Sequence, residues 1–354
     1  MASVETIEAR LNVKLKAQQL EAIRLSEKHD VLCVLPTGFG KTKIIEGIAL
    51  SSDDRCVIVV EALNGIMQQQ NSQFQSSITL TEEFIRKMST GDSDTMKDVE
   101  RLKAGNFKYI LSHPEQLIKP EVKRLLMSHP LANRITNMVV DEAHCILSWG
   151  ASEFRPAYKK LGMLRAVVPN VKVLALTATA TLKGQEEIIS SLHMHDTKVI
   201  SASPDRTNVF LEVKKRPPSS GGEYSAEESV FSCVDPLFKS LTQEETNFPK
   251  TVIYTQLKWC GILHNRAKYN FGTQYVKQYH SPQSQAMKTA IVEEMAVTDK
   301  QASSIRILVA TEAYGMGMDV SDIRNIVHVG PPSTLECKDI QIYFAFLYSY
   351  KHVL

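Results

Sequence analysis

The sequence lacks several features that would assign a protein to a special class. Its six cysteines all lie more than 20 residues apart, so no CxxC pair is present to hold zinc or a redox couple. The longest apolar run, residues 342–348, is far shorter than the roughly 20 residues of a membrane span. The net charge is only +2, from 41 basic and 39 acidic residues, and indicates no polyanionic partner. We therefore expect an intracellular protein with reduced, mostly buried cysteines, in which any nucleic-acid site is local.

The 354 residues are enough for about two domains, and 43% of them are apolar, as in ordinary globular proteins. Short β-branched runs alternate with longer helical patterns, which predicts an α/β fold with mostly parallel sheets. The predicted strands are residues 31–35, 56–60, 108–112, 137–141, 173–177 and 198–201, and then 209–213, 251–255, 305–310 and 325–330.

These two series of strands predict two α/β units in tandem. A stretch rich in Pro, Gly and Ser, residues 214–229, has the composition of a surface loop or linker. We therefore divide the chain into a first domain at 1–204, a junction at 205–230, a second domain at 231–336 and an apolar tail at 337–354.

The strand at 31–35 leads into a phosphate-binding sequence. The loop consists of Pro36, Thr37, Gly38, Phe39, Gly40, Lys41 and Thr42. A strand, a glycine-containing turn and a helix start direct backbone N–H groups at phosphates, while Lys41 neutralises them and the Thr42 hydroxyl ligates Mg²⁺. Leu35 stands where the strict motif has its first glycine, so this is a relaxed form of the motif.

Acidic residues end the strand at 137–141. Asp141 suits Mg²⁺ binding and Glu142 suits polarising an attacking water, if they lie beside the phosphate loop on a neighbouring strand. The alternative is that these acids only cap the next helix. His144 is a third catalytic candidate, with a packed core histidine as the alternative. Thr177 and Thr179 end another strand and could link the nucleotide site to the second unit.

In this order, PTGFGKT, DEAH, TATA and ATEAYGMGMDVSDIRNIVH resemble the superfamily 2 helicases, specifically the RecQ family. The resemblance implies two tandem RecA-like P-loop domains, the second of them incomplete. Residues 141–165 resemble the RecQ aromatic-rich loop, which couples single-stranded DNA to ATP hydrolysis. Trp149, Phe154, Arg155 and Tyr158 match its pattern and offer base stacking and a cation. The alternative is a hydrophobic flap over the core.

The resemblance also implies contacts to the nucleotide. KLKAQQLEAI resembles the adenine-reading motif, in which a glutamine contacts the base through two hydrogen bonds. Gln19 is the best match and Gln18 the reserve, while Lys16 replaces an arginine of the family, so stacking on adenine should be poorer. Asp319 matches a position near the ribose.

Further positions correspond to DNA-contacting motifs of the family. Ser112 and Thr311 are the matching residues, and Gly315 and Gly317 would let backbone amides approach the DNA backbone. Glu61 departs from the pattern, because the family has Ser-Pro-Leu there and an acid replaces an expected phosphate contact.

After residue 336 the family continues into a motif whose arginines reach the γ-phosphate, but no arginine follows Arg324 here. Because such arginines accelerate related phosphoryl transfers by about 10³–10⁵, we expect ATP to be bound better than it is hydrolysed. The tail is most simply a truncated or misread terminus. The alternatives are a helix that caps the open edge of the second sheet, or a partner-binding stripe.

The resemblance therefore predicts an ATP-dependent, Mg²⁺-dependent 3′–5′ DNA helicase or translocase in repair and recombination, without a zinc site or a membrane association. Its expected partners are single-stranded and tailed or branched DNA, and its expected location is the nucleus, with the cytoplasm as the alternative. A nucleotide-dependent DNA-binding or regulatory protein with weak or no unwinding is the second hypothesis. A small-molecule kinase or another P-loop ATPase would explain the phosphate loop but not the aromatic loop.

Overall fold

The computed structural model describes residues 2–36, 38–62, 64–150, 157–168, 170–178, 180–203, 209–212, 226–297, 299, 304–311, 313–314, 322–330 and 350–353. The chain divides into two compact units, Met1–Pro204 and Asp205–Leu354. The division falls just before the residues that the sequence indicates as a junction.

A parallel sheet forms the centre of the first unit. Its seven described strands are β1 (Val31–Val34), β2 (Cys56–Val60), β3 (Ser77–Leu80), β4 (Tyr109–Ser112), β5 (Ile135–Val140), β6 (Lys172–Thr177) and β7 (Lys198–Ser201). They lie in the order β3-β4-β2-β5-β6-β1-β7, and every described pair is parallel. All carboxyl ends therefore meet at one edge, where ligands bind in open α/β sheets.

Helices cover both faces of this sheet, because successive side chains of a strand point to opposite sides. Leu32 and Ile58 pack into one hydrophobic cluster, while Cys33 and Val59 pack into another. The described helices are α1 (Val4–Leu11), α2 (Ala17–Leu25), α3 (Lys41–Leu50), α4 (Asn64–Gln73), α5 (Glu82–Thr90), α6 (Ser93–Lys103), α7 (Pro114–Leu117), α8 (Pro120–Leu126), α9 (Leu131–Arg134), α10 (Cys145–Gly150) and α11 (Leu182–Ser191), with a 3-10 helix at Tyr158–Ala166.

The second unit is built on another parallel sheet. Its six described strands are β8 (Val209–Glu212), β9 (Thr251–Tyr254), β10 (Val276–Tyr279), β11 (Ile307–Ala310), β12 (Asn325–His328) and β13 (Tyr350–Val353). Their order is β10-β11-β9-β12-β13-β8. The described helices are α12 (Ala226–Glu244), α13 (Leu257–Asn270) and α14 (Gln285–Ala296), with a 3-10 helix at Glu245–Asn247.

The predicted α/β class with mostly parallel sheets is confirmed, and a strand occurs at each predicted position. The sequence did not indicate β3, β10 or β13. The four residues of β13 belong to the apolar tail, and they pair with β12 and β8 as a strand rather than forming a helix at the sheet edge.

No helix among the described residues has both the length and the apolar character needed to cross a bilayer. Of the five cysteines in the described ranges, four are buried and all are free thiols.

Candidate active site

The phosphate loop lies between β1 and α3. Gly38 and Gly40 have φ values of +69° and +86°, a left-handed conformation that glycine adopts without the steric penalty of a Cβ. Gly40 is the N-cap of α3, so the loop ends at the positive end of a ten-residue helix. Thr37 lies outside the described residues. This geometry is that of an anion-binding turn.

Lys41 carries the main positive charge of the loop. Its side chain is 8% exposed, and its Nζ is buried without a hydrogen-bond partner in the described part of the chain. The nearest acid is Glu142, whose Oε1 lies 3.9 Å from Nζ. A buried ammonium without hydrogen bonds is costly, and phosphate oxygens would supply the missing acceptors. The loop therefore fits the phosphate groups of a nucleotide.

The two acids follow β5 at the same edge. The Asp141 amide donates to Val60 O at 3.1 Å, and the Glu142 amide donates to Asp141 Oδ1 at 2.9 Å. Glu142 has a φ of +48°, an uncommon conformation for a residue with a Cβ and one that often marks a functional site. Burial and the charge of Glu142 raise the pKa of Asp141 to about 6.

The pKa of Glu142 shifts in the opposite direction from that of Asp141. Burial alone would raise its pKa, but Lys41 and the neighbouring ring of His144 outweigh that effect and lower the pKa to about 2. Glu142 is therefore an anion at neutral pH. The helix-cap alternative for this acidic pair does not explain its contacts with Lys41 and His144.

His144 is buried, as a core histidine would be, but it faces the acids. Its Nδ1 lies 3.2 Å from Glu142 Oε2 and 3.5 Å from Thr177 Oγ1. Burial disfavours the imidazolium, but contacts with Cys145 and Glu142 raise the pKa of His144 above its ordinary value. His144 thus joins the strand end of β6 to Glu142.

The expectation that the phosphate loop and the acids lie on neighbouring strands is wrong. Strand β6 lies between β1 and β5, and its last residue, Thr177, is paired with Val34 and fully buried. The carbonyl of Thr177 accepts the amide of Leu35 at 2.9 Å. Lys41 still reaches Glu142, because its long side chain spans the intervening strand end. Thr179 lies outside the described residues.

Gln19 and Lys16, the predicted base-side residues, contact the phosphate loop directly. The Gln19 Oε1 accepts the Lys16 amide at 2.7 Å, and its Nε2 donates to Phe39 O at 2.9 Å and to Gly40 O at 3.0 Å. The Lys16 ammonium lies 4.2 Å from the centre of the Phe39 ring. Asp319 lies outside the described residues.

Two of the predicted DNA-contacting residues are buried. Ser112 is fully buried, and its hydroxyl donates to Leu80 O at 2.9 Å. Tyr158 is 1% exposed and packs in the main hydrophobic cluster of the first unit. The stacking role predicted for Tyr158 does not fit this position, because a buried ring offers no face to a base. For this residue the hydrophobic-flap alternative is the better description.

The remaining DNA-side candidates are only partly described. Thr311 directly follows β11, is half-buried, and its amide donates to Tyr279 O at 3.1 Å. Trp149 belongs to α10, and its side chain lies outside the described part of the chain. Phe154, Arg155, Gly315 and Gly317 also lie outside the described residues.

One residue of this edge was noted in the sequence only as a departure from the family pattern. Glu61 directly follows β2 and is fully buried, and the side chain of Gln70 is its hydrogen-bonding neighbour. Burial, together with the charges of Asp141 and Glu142, raises the pKa of Glu61 well above its ordinary value. The pairing of Val60 with Val140 brings the two strand ends level. Apart from that departure, the only feature of the sequence that pointed to Glu61 is its position directly after a buried strand.

Comparison with known proteins identifies the family. Residues 16–188 match the family model of the DEAD/DEAH box helicases, and residues 233–344 match that of the helicase conserved C-terminal domain. This chain belongs to the superfamily 2 helicases. The first helicase match contains the phosphate loop and the acids, and the second contains Thr311.

Relatives of this helicase agree with the motif resemblance. It is 28% identical over 338 residues to the ATP-dependent DNA helicase Q1 of Mus musculus, covering 91% of this chain and 47% of the mouse protein. It is 28% identical over 316 residues to the ATP-dependent DNA helicase RecQ of Haemophilus influenzae, covering 87% of this chain and 45% of that protein. The predicted resemblance to the RecQ family is confirmed. The chain spans about half the length of these relatives.

Solved helicase structures share the fold. The crystal structure of DUF1998 helicase MrfA bound to DNA superposes with a TM-score of 0.72 at 14% identity, covering 100% of this chain and 51% of that one. The predicted pair of RecA-like domains is thereby confirmed.

Proposed function

We propose that this chain is the motor of an ATP-dependent 3′–5′ DNA helicase or translocase of RecQ type that acts in DNA repair and recombination in the nucleus. The observation that carries the proposal is the buried Lys41 ammonium. It has no hydrogen-bond partner among the described residues and ends a loop of left-handed glycines. Such a group is completed by the phosphates of a nucleotide.

The residues around Lys41 suit hydrolysis. Glu142 stays ionised near neutral pH and lies at the same strand edge, so it can orient an attacking water. A carboxylate with so low a pKa is a weak base, so its role is to align the water rather than to remove its proton early. His144, which also contacts the Thr177 hydroxyl at the end of β6, contacts the Glu142 carboxylate.

A divalent cation, Mg²⁺ by preference, would be held by Thr42 and Asp141. Hydroxyl and carboxylate oxygens are the donors that Mg²⁺ prefers, and it usually retains waters and phosphate oxygens as its other ligands. Accordingly, no group of three or more His, Cys, Asp or Glu side chains in the described ranges could hold a metal by itself. When bound, the cation would neutralise phosphate charge.

ATP hydrolysis with and without single-stranded DNA tests the motor. We expect DNA to stimulate hydrolysis, and Lys41→Ala to lower the rate by about a hundredfold or more, as loss of a charge-stabilising donor does. The matched control is Lys43→Ala, because Lys43 pairs with Glu46 on the same helix at 2.6 Å. A chain that hydrolyses ATP equally well with and without DNA and without Lys41 would contradict the proposal.

Polarity and substrate require a second experiment. Displacement of a labelled strand from 3′-tailed, 5′-tailed and forked duplexes should occur for the 3′-tailed and forked forms only. Single-stranded RNA of the same sequence serves as the comparison in the hydrolysis assay. If RNA stimulates ATP hydrolysis as strongly as DNA does, the chain is not specific for DNA.

The second candidate is a nucleotide-dependent DNA-binding protein without unwinding activity. Glu61 favours it, because a buried acid stands where the RecQ resemblance implies a phosphate contact. In that case, ATP should change the affinity for single-stranded DNA, measured by fluorescence anisotropy, while no duplex is displaced.

A further inference from the structure

Charge is distributed unevenly along this chain. Residues 246–292 contain no Asp or Glu and form the longest such stretch of the sequence. The near-zero net charge therefore arises from a basic segment and a remainder that has more acids than bases. All residues of the segment are described, and they include β9, α13, β10 and the first residues of α14. Its Lys and Arg residues are Lys250, Lys258, Arg266, Lys268, Lys277 and Lys288.

Two of these six cations are used inside the protein. Lys250 is fully buried, and its ammonium donates to two carbonyls at the end of α14. Arg266 forms two hydrogen bonds with the carboxylate of Asp235 on α12. The other four lysines form no ion pair with a described residue. Their charges are therefore not balanced within the described part of the chain.

Two of the unpaired lysines lie near His264. Lys268 is one turn along α13 from His264, so the two side chains share a face of the helix. His264 also contacts the backbone of Val276, the residue before Lys277 on β10. Burial and the charges of Lys277 and Lys268 lower the pKa of His264. The two charges that act most strongly on this ring are thus both positive.

An exposed aromatic ring adjoins these cations. Tyr269 is 74% exposed, and the Lys268 ammonium lies 5.4 Å from the centre of its ring. Exposed rings beside cations suit single-stranded nucleic acid, because bases stack on the ring while the cations pair with phosphates. We call the group of His264, Lys268, Tyr269 and Lys277 the basic face.

Single features of the basic face have simpler explanations. A lysine in the last turn of a helix is favourable to the helix dipole, and a lysine on an edge strand such as β10 discourages pairing with other chains. Neither effect explains why cations gather without an acid among them, since like charges repel one another. An anion bound at the basic face would relieve that repulsion.

We propose that the basic face is a second contact surface for single-stranded DNA, outside the helicase motifs. The phosphates pair with Lys268 and Lys277, and a base stacks on Tyr269. A duplex fits less well, because its bases are already stacked on one another. The inference rests on the proposed function for the choice of DNA, because RNA also offers phosphates and base faces.

DNA binding in the absence of nucleotide tests the basic face. Fluorescence anisotropy gives the affinity of the full chain for labelled single-stranded DNA between about 50 and 200 mM salt. For the double variant Lys268→Gln/Lys277→Gln we expect weaker binding. Its slope of log affinity against log salt should be smaller by about 1.4, because each phosphate contact on a single strand contributes about 0.7.

The aromatic ring is tested separately. Tyr269→Ala should weaken the binding of single-stranded DNA by about fivefold or more, because the stacked base loses its platform. Tyr269→Phe keeps the ring and should keep the affinity. Urea unfolding verifies that each variant is folded.

Lys97→Gln/Lys103→Gln is the matched control, since it removes the same charge from another exposed surface. Both lysines lie on α6 beside an acid, Lys97 at 2.8 Å from Asp94 and Lys103 at 2.9 Å from Glu100. This variant should keep the affinity and the salt slope of the unsubstituted chain. Single-stranded RNA of the same sequence is the comparison ligand.

If Lys268→Gln/Lys277→Gln behaves like the control and Tyr269→Ala binds DNA normally, the inference is wrong. The proposed function then stands as long as DNA still stimulates ATP hydrolysis. If the variants weaken RNA binding as much as DNA binding, the basic face is confirmed as a nucleic-acid surface, but the DNA specificity of the proposed function fails. If the unsubstituted chain binds neither nucleic acid, both the inference and the proposed function fail.

Discussion

The carboxyl edge of the first sheet has two regions that differ in how their buried polar groups are satisfied. Near β1 and β5, the Lys41 ammonium is buried and lacks a hydrogen-bond partner among the described residues. Near β4, the Ser112 hydroxyl is equally buried but donates to Leu80 O. Native proteins leave few buried polar groups unsatisfied, and the Lys41 ammonium, at the start of a helix beside a glycine turn, is one that an anionic ligand would complete. The comparison separates Lys41, which an anionic ligand would complete, from Ser112, whose described hydrogen bond is made inside the protein.

The largest effect should come from the nucleotide region. Glu142→Gln removes the anion that we propose orients the water, and we expect kcat for ATP hydrolysis to fall by about 10²–10⁴ while nucleotide affinity is retained. Steady-state hydrolysis and calorimetry measure the two quantities. Glu100→Gln is the control, because Glu100 forms an exposed pair with Lys103 on α6. If Glu142→Gln keeps the kcat of the unsubstituted chain, Glu142 takes no part in hydrolysis.

The second effect concerns a residue whose predicted DNA role does not fit its burial. Tyr158→Ala should lower the free energy of unfolding by about 3–5 kcal/mol, because it empties the volume of a large ring in the core. Urea unfolding measures this loss. Tyr158→Phe retains the ring, and its affinity for single-stranded DNA should equal that of the unsubstituted chain. A loss of DNA affinity in the folded Phe variant would restore the stacking interpretation.

Glu61 provides the third test, through pH. Its pKa is raised in the folded state, so the folded chain holds a proton that the unfolded chain releases above about pH 4.5. The free energy of unfolding should therefore fall as pH rises from that value towards the folded pKa, by up to about 1.4 kcal/mol per pH unit. Glu61→Gln removes this contribution.

The advantage of Glu61→Gln over the unsubstituted chain should accordingly grow from pH 5 to pH 8 in urea unfolding. Asp141, whose pKa is raised to about 6, contributes a slope of the same sign in both proteins. Parallel stability curves for the two proteins would show that Glu61 is ionised in the folded chain.

The sequence predicted the central strands well, because strands covered on both faces are continuous apolar runs such as CVIVV. The sequence did not predict strands β3 and β10, because both lie at sheet edges. Their sequences, SITL and VKQY, bury only alternate or terminal residues. Their short, mixed patterns do not differ from those of loops.

The site was predictable in its chemistry but less so in its placement. The residue types and order of the motifs predicted Lys41, Asp141 and Glu142 as site residues, and the structure brings the three together. Strand order is a tertiary property, so the insertion of β6 between the loop and the acids could not be read from spacing. A sequence motif does not show whether a side chain is buried. Ser112 therefore matched a DNA-contacting pattern, although its hydroxyl donates to a carbonyl inside the protein.

Ser112 gives the smallest and most selective test of the comparison. Ser112→Ala removes the bond to Leu80 O and should lower the free energy of unfolding by about 0.5–1.5 kcal/mol. The matched control is Ser26→Ala, because the Ser26 hydroxyl is also buried and donates to a carbonyl, Ala22 O, at 2.7 Å. If packing explains both serines, the two variants lose similar stability and keep the same affinity for single-stranded DNA. If Ser112 reaches DNA, only its variant binds DNA more weakly, and the region around β4 then belongs to the functional edge despite its satisfied hydrogen bonds.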